Sequence, residues 1–154
     1  MIATFFPFGD GRRVLVMGRG DAEKYARQMD QDAIVVSYKD PIPTPWVRWD
    51  LSPHVKALIQ VECLDQDALS HPDDVLFTDE HADKIVEMIY RQKQPIMMDI
   101  ICQCEMGIAR SSATAAAIAK SLGGDDMEIF QRKRPNMRIY THLINAFHRR
   151  GEVS

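Results

Sequence analysis

The segment Ile96 to Gly124, IMMDIICQCEMGIARSSATAAAIAKSLGG, constrains the fold more than any other part of the chain. Its opening, Ile96 to Cys102, is apolar nearly throughout, the pattern of a central strand covered on both faces rather than one with a face in water. Asp99 is the misfit and reads as a structural contact at the strand's edge. Ser112 to Leu122 is rich in alanine and predicts a strong helix, stopped by Gly123 and Gly124. Its small residues let it lie close on a sheet. A strand buried on both faces needs helices on both, so the expected class is α/β with a central, mostly parallel sheet.

The rest of the chain supplies the alternation that class requires. Arg13 to Met17, Ala33 to Tyr38 and Ala57 to Leu64 read as strands. Asp21 to Met29 reads as a helix capped by Asp21, which makes the start a βαβ unit. Asp40 to Trp49 holds three prolines and is an irregular surface connection, with Trp46 and Trp49 expected to cover the core. Leu64 to Asp74 is a polar, acidic turn region. Thr78 then caps a helix whose apolar face is Ala82, Ile85, Val86 and Ile89, and which ends before Pro95. Asp125 to Lys133 and Tyr140 to Arg149 complete the chain as helices separated at Pro135-Asn136.

Length and composition narrow the function. At 154 residues with 45% hydrophobic content, residues 1–154 make one domain with a real core. No run of 18 apolar residues occurs, and the first residues lack the pattern of a secretion signal, so a cytoplasmic protein without membrane attachment is expected. Three cysteines are too few for a disulfide framework and predict free thiols. A net charge of −3 argues against nucleic acid as a partner, and Arg132, Lys133, Arg134 and Arg138 read as a solvated helix face.

Between the buried strand and its helix lies Cys104-Glu105-Met106-Gly107-Ile108-Ala109-Arg110. A strand, a short loop and a helix N-terminus aim free backbone N–H groups and the positive end of a helix dipole at one point, which suits phosphate. Gly107 stands where a tight turn needs a residue without a Cβ. A thiolate among the same amides is a nucleophile, and an arginine grips two phosphate oxygens through its planar fork. Cys102 and Cys104 point the same way along a strand, but no second pair completes a metal site. Cys63 and Cys102 read as buried structural thiols, with a reversible disulfide to Cys104 as the alternative.

Cys104, Gly107, Arg110 and Ser111, in the string CEMGIARS, resemble the Cys-x5-Arg-Ser signature loop of the protein tyrosine phosphatases, and most of all their compact dual-specificity branch with its small bacterial and phage-encoded members. The resemblance covers roughly residues 30 to 150 and includes an acidic loop after the preceding strand and the Pro135-Asn136 pair before a late helix. It implies a cysteine-dependent phosphatase domain that needs neither metal nor cofactor. Its substrate would be a phosphorylated protein or peptide, with phosphotyrosine first and phosphoserine or phosphothreonine also open. Cys104 would attack phosphorus and form a phosphocysteine. The amides of Glu105, Met106, Gly107, Ile108, Ala109 and Arg110, with the Arg110 side chain, would bind the phosphoryl oxygens, and Ser111 would donate a hydrogen bond to the departing thiolate.

A leaving alkoxide or phenolate also needs a proton. Asp65 is favoured as its donor because the first polar residues past a strand end lie nearest the sheet's carboxyl edge, with Asp67, Asp73 and Asp74 as alternatives. Two residues depart from the family pattern. Gln103 stands where the family usually has histidine and supplies no positive charge, and Glu105 places an acid in the loop, expected outward and solvated, which disfavours a phosphoinositide. A monomer is expected. A non-catalytic phosphate-binding module and an RNA 5'-phosphate or nucleotide phosphatase rimmed by Arg132 to Arg138 are the other readings.

Overall fold

The structure is a computed structural model that describes the backbone of residues 1–92 and 98–153. Five strands form one sheet: β1 (Ala3–Phe5), β2 (Val14–Met17), β3 (Ala33–Lys39), β4 (Val55–Glu62) and β5 (Asp99–Gln103). The spatial order is β1-β2-β5-β3-β4, with β1 antiparallel to β2 and every other pair parallel. Among the described residues five α-helices complete the fold, α1 (Arg19–Gln28), α2 (Asp79–Arg91), α3 (Arg110–Ser121), α4 (Met127–Arg132) and α5 (Met137–Val153), with a short 3-10 turn at Trp49–Leu51.

Strand β5 is buried at every position and lies between β2 and β3, as its unbroken apolar sequence requires. Its side chains alternate: Ile100 and Cys102 enter a large core with the buried faces of α2, α3 and α5, while Ile101 enters a second core with Ala22 and Ala26 of α1 and the fully buried Trp49. Asp99 is buried at the start of β5, where the Arg13 guanidinium donates to both its oxygens, from Nε at 3.1 Å and Nη2 at 2.5 Å. Pro95, Ile96 and Met97, expected to end a helix and open this strand, lie outside the described residues.

Several boundaries differ from expectation for local reasons. Helix α1 starts at Arg19, and its cap is Gly18 rather than Asp21, which sits in the first turn where its charge suits the helix dipole. Glycine suits the close approach of the Cys104 loop there, since a Cβ would lie 3.0 Å from the Glu105 carbonyl oxygen. Strand β4 comes two residues earlier than its apolar run suggests, and its side chains are mostly half-exposed. Helix α5 begins at Met137 instead of Tyr140, because the Asn136 side chain accepts from the Ile139 N–H at 3.0 Å and caps the helix. Strand β1 has no signal in the sequence, being three residues at an edge. Thr78 caps α2 as expected: its Oγ1 accepts from His81 N–H, and His81 Nδ1 accepts from Thr78 N–H at 3.0 Å.

Candidate active site

The loops that follow β2, β3, β4 and β5 all leave the carboxyl edge of the parallel strands, at the place where β5 inserts between β2 and β3. In open α/β sheets this is where ligands bind. The loop after β5 carries Cys104. Its thiol is buried, accepts the Gly107 N–H at 3.2 Å and lies 3.1 Å from the Ser111 hydroxyl. Gly107 has φ +70, and a Cβ on it would fall 2.6 Å from Gly18 N and 2.7 Å from the Met17 carbonyl carbon. Glycine is therefore required twice over, by conformation and by the approach of the β2–α1 backbone. Helix α3 starts at Arg110 with no side-chain cap, so its first N–H groups open toward the loop that holds the thiol.

Arg110 is buried, and its Nη1 alone makes two contacts, 2.7 Å to Asp40 Oδ1 and 2.6 Å to the Cys63 carbonyl oxygen. Its Nε–Nη2 edge makes no hydrogen bond among the described residues. The side chain is thus fixed from behind with a bidentate edge free to grip an anion. Asp40 carries no site signal of its own in the sequence: Lys39, the last residue of β3, precedes it, and it is only the first acidic residue past that strand.

Asp65 is linked to the Cys104 loop through Asn136, whose Nδ2 donates to Asp65 Oδ1 at 2.8 Å while its backbone N–H is held by the Ala109 carbonyl at 3.1 Å. The other acidic candidates are placed differently. Asp67 offers its backbone carbonyl to Arg138 Nη1 at 3.3 Å, and the Asp74 carboxylate accepts the Ser70 and His71 N–H groups of its own turn. Asp73 is exposed.

Glu105 points outward, but it is not free in solvent as the sequence suggests. Arg19 Nε and Nη2 donate to its two oxygens, each at 2.9 Å, and Arg19 Nη1 donates to the Pro45 carbonyl at 2.8 Å. The hydrogen bonds from Arg19 hold the Glu105 carboxyl below its usual range, against an opposing effect of partial burial. Met106 and Ile108 expose their side chains, and Ala109 caps α3. Lys133 closes the other side of the loop, its Nζ donating to the Gly107 carbonyl at 2.9 Å. The basic cluster is therefore not one solvated helix face: Arg138 Nε donates to the Phe77 carbonyl at 2.8 Å, and Arg132 pairs with Glu128 at 3.0 Å.

All three cysteines are free thiols. Burial pushes the Cys63 thiol up to about 12, with nearby Arg110 opposing, and burial likewise pushes Cys102 up. Among the described residues no group of three or more His, Cys, Asp or Glu could hold a metal ion, and no helix is long and apolar enough to cross a membrane.

No protein-family model matches the sequence, and no curated protein does. Solved structures match over nearly the whole chain. Human DUSP28 is 16% identical with a TM-score of 0.58, covering 92% of this chain and 95% of that one. Tk-PTP in its active form is 24% identical with a TM-score of 0.52, covering 90% and 95%. PTPMT1 in complex with PI(5)P is 11% identical with a TM-score of 0.58, covering 92% and 94%. With its thiol, arginine and acidic loop at one sheet edge, this chain has the fold of the dual-specificity and tyrosine phosphatases.

Proposed function

We propose that the chain is a cysteine-dependent phosphomonoester hydrolase acting on phosphorylated proteins, with phosphotyrosine as its first substrate. One observation carries the reading: the Cys104 thiol lies between the Gly107 N–H and the Ser111 hydroxyl at the open start of α3, beside a buried arginine. The Cys104 thiolate attacks phosphorus, the S–P bond forms, and the bond to the leaving oxygen breaks as Asp65 delivers a proton to it. The loop amides and the free Arg110 edge take the equatorial oxygens, where charge builds in the transition state. Water activated by Asp65 then attacks the phosphocysteine, releasing inorganic phosphate and a thiolate that accepts a hydrogen bond from Ser111.

A phosphoprotein fits the surroundings better than a polyanion. PTPMT1 binds PI(5)P, but here an acid follows the nucleophile, and Arg19, Lys133 and Arg138 are engaged with carboxylate or carbonyl oxygens of the scaffold. The same engagement weakens the case for an RNA rim. Hydrolysis of para-nitrophenyl phosphate in EDTA tests the reading. Turnover lost in Cys104→Ser is expected, whereas vanadate or phosphopeptide binding without turnover in the natural protein would make it a binding module.

A further inference from the structure

Gln103, the last residue of β5, is fully buried beside the nucleophile and forms a closed set of hydrogen bonds. Its Oε1 accepts from the Ser37 hydroxyl and from Trp49 Nε1 at 3.1 Å. Its Nε2 donates to the Tyr38 carbonyl at 3.4 Å and to the Cys104 carbonyl at 3.1 Å. A primary amide offers two acceptor sites on oxygen and two N–H donors. The surroundings present two donors and two acceptors, so an amide satisfies all four partners. A neutral imidazole has one donor and one acceptor, and a carboxylate has no donor at all, so neither fits this environment as well. Gln103 therefore occupies a place built for it and is not simply a lost histidine.

The contact with Cys104 has a consequence in the loop. In a trans peptide the C=O and the following N–H point in opposite directions. Holding the Cys104 carbonyl against Gln103 therefore turns the Glu105 N–H to the opposite side of that peptide, away from Gln103. We propose that Gln103 is a positioning residue that sets the Cys104–Glu105 peptide plane and so aims the Glu105 amide at the phosphoryl group. Through Oε1 it also ties that plane to Trp49, which stands in the connection between β3 and β4. The connection that borders the site and the loop that binds the anion then move as one body.

The proposal rests on the reading of this loop as a phosphate site, and vanadate affinity tests it without requiring turnover. Gln103→Met keeps the volume and removes every hydrogen bond. Its vanadate affinity and kcat should fall about tenfold, the scale of one misaimed amide donor. Gln103→His restores a single donor toward the Cys104 carbonyl and should recover part of the loss. Ser37→Ala removes one partner of Oε1 but leaves its tie to Trp49 and both acceptors of Nε2, and should lower the melting temperature while leaving vanadate affinity within about twofold. If Gln103→Met does not fold, Trp49→Phe frees one side of Oε1, and an intermediate loss of vanadate affinity is expected. A Gln103→Met or Trp49→Phe protein that is less stable yet binds vanadate as the natural protein does would overturn the proposal. Vanadate affinity that depends on Gln103 in a protein with no turnover would keep it and remove the hydrolase reading instead.

Discussion

Asn136 joins Asp65 to the anion loop: its Nδ2 donates to the Asp65 carboxylate at 2.8 Å, and its backbone N–H is held by Ala109 at 3.1 Å. The carboxylate of Asp65, the proposed proton donor, is therefore held by the same residue that caps α5. Replacing Asp65 by Asn should lower kcat about 100-fold for a phosphate ester with a poor leaving group and far less for a good one. Asn136→Ala should show the same asymmetry at about tenfold, together with a loss of about 1 kcal/mol from the missing cap. Equal losses on both esters in Asp65→Asn would assign the proton to another group.

Gly107 cannot become alanine without cost, because its φ of +70 is unfavourable for a Cβ and that Cβ would lie 2.6 Å from Gly18 N. Backbone, not a flexible side chain, is in the way. Gly107→Ala should destabilise the fold by about 1–3 kcal/mol and reduce turnover more than stability alone explains. Thermal melts and steady-state kinetics on the same preparation separate the two effects.

Sequence patterning was informative where a residue's role follows from its own segment. The buried strand, the glycine turn, Cys104, Arg110 and Ser111 are neighbours in the chain, and their chemistry is a local property of strand, loop and helix start. That Asp65 falls in a loop at the carboxyl edge could be read because strand ends have a direction in a parallel sheet. Asp40, Arg19 and Lys133 were not legible as partners, since each acts on the loop from a different element, 26 to 86 residues away. Glu105 was misread for the same reason: nothing near it in sequence announces Arg19. The helix starts at Arg19 and Met137 depended on a glycine packed against another loop and on a capping asparagine, which no apolar period encodes.

The thiols should sort by environment. Cys63, pushed up to about 12 by burial, and Cys102, also raised by burial, are neutral thiols at neutral pH and sit in the core. Iodoacetate should therefore modify Cys104 alone, with vanadate slowing the reaction. Peptide mapping after short exposure gives the answer, and carboxymethylation of Cys63 or Cys102 at a comparable rate would contradict it.

Arg19 and Glu105 predict an acid-sensitive contribution to stability. The folded-state pKa of Glu105 is lowered, so the unfolded chain binds its proton more readily, and the pair stabilises above the unfolded value near about 4.3. That contribution is lost as pH falls from there through the folded value. Arg19→Gln should melt below the natural protein at neutral pH, and the gap should narrow as pH falls below the unfolded value. A gap that stays constant as the carboxylates titrate would mean that the Pro45 carbonyl contact, not the ion pair, supplies the difference.

Asp40 restrains Arg110 through a single nitrogen, Nη1, and leaves the Nε–Nη2 edge, the proposed grip on phosphate, without a hydrogen bond among the described residues. Two effects of removing it oppose each other. The loss of a negative charge beside the site strengthens attraction for a phosphate dianion, while the loss of an acceptor lets the guanidinium leave its aligned position. The Cys63 carbonyl, 2.6 Å from the same nitrogen, holds only part of the alignment. In Asp40→Ala orientation should dominate, with kcat down about tenfold and KM little changed. Asp40→Asn keeps an oxygen acceptor without the charge, and should recover most of kcat while lowering KM. Steady-state kinetics at two salt concentrations distinguish the terms, because the charge effect weakens with screening and the orientation effect does not. Full activity in Asp40→Ala would show that the Cys63 carbonyl alone is enough to align Arg110.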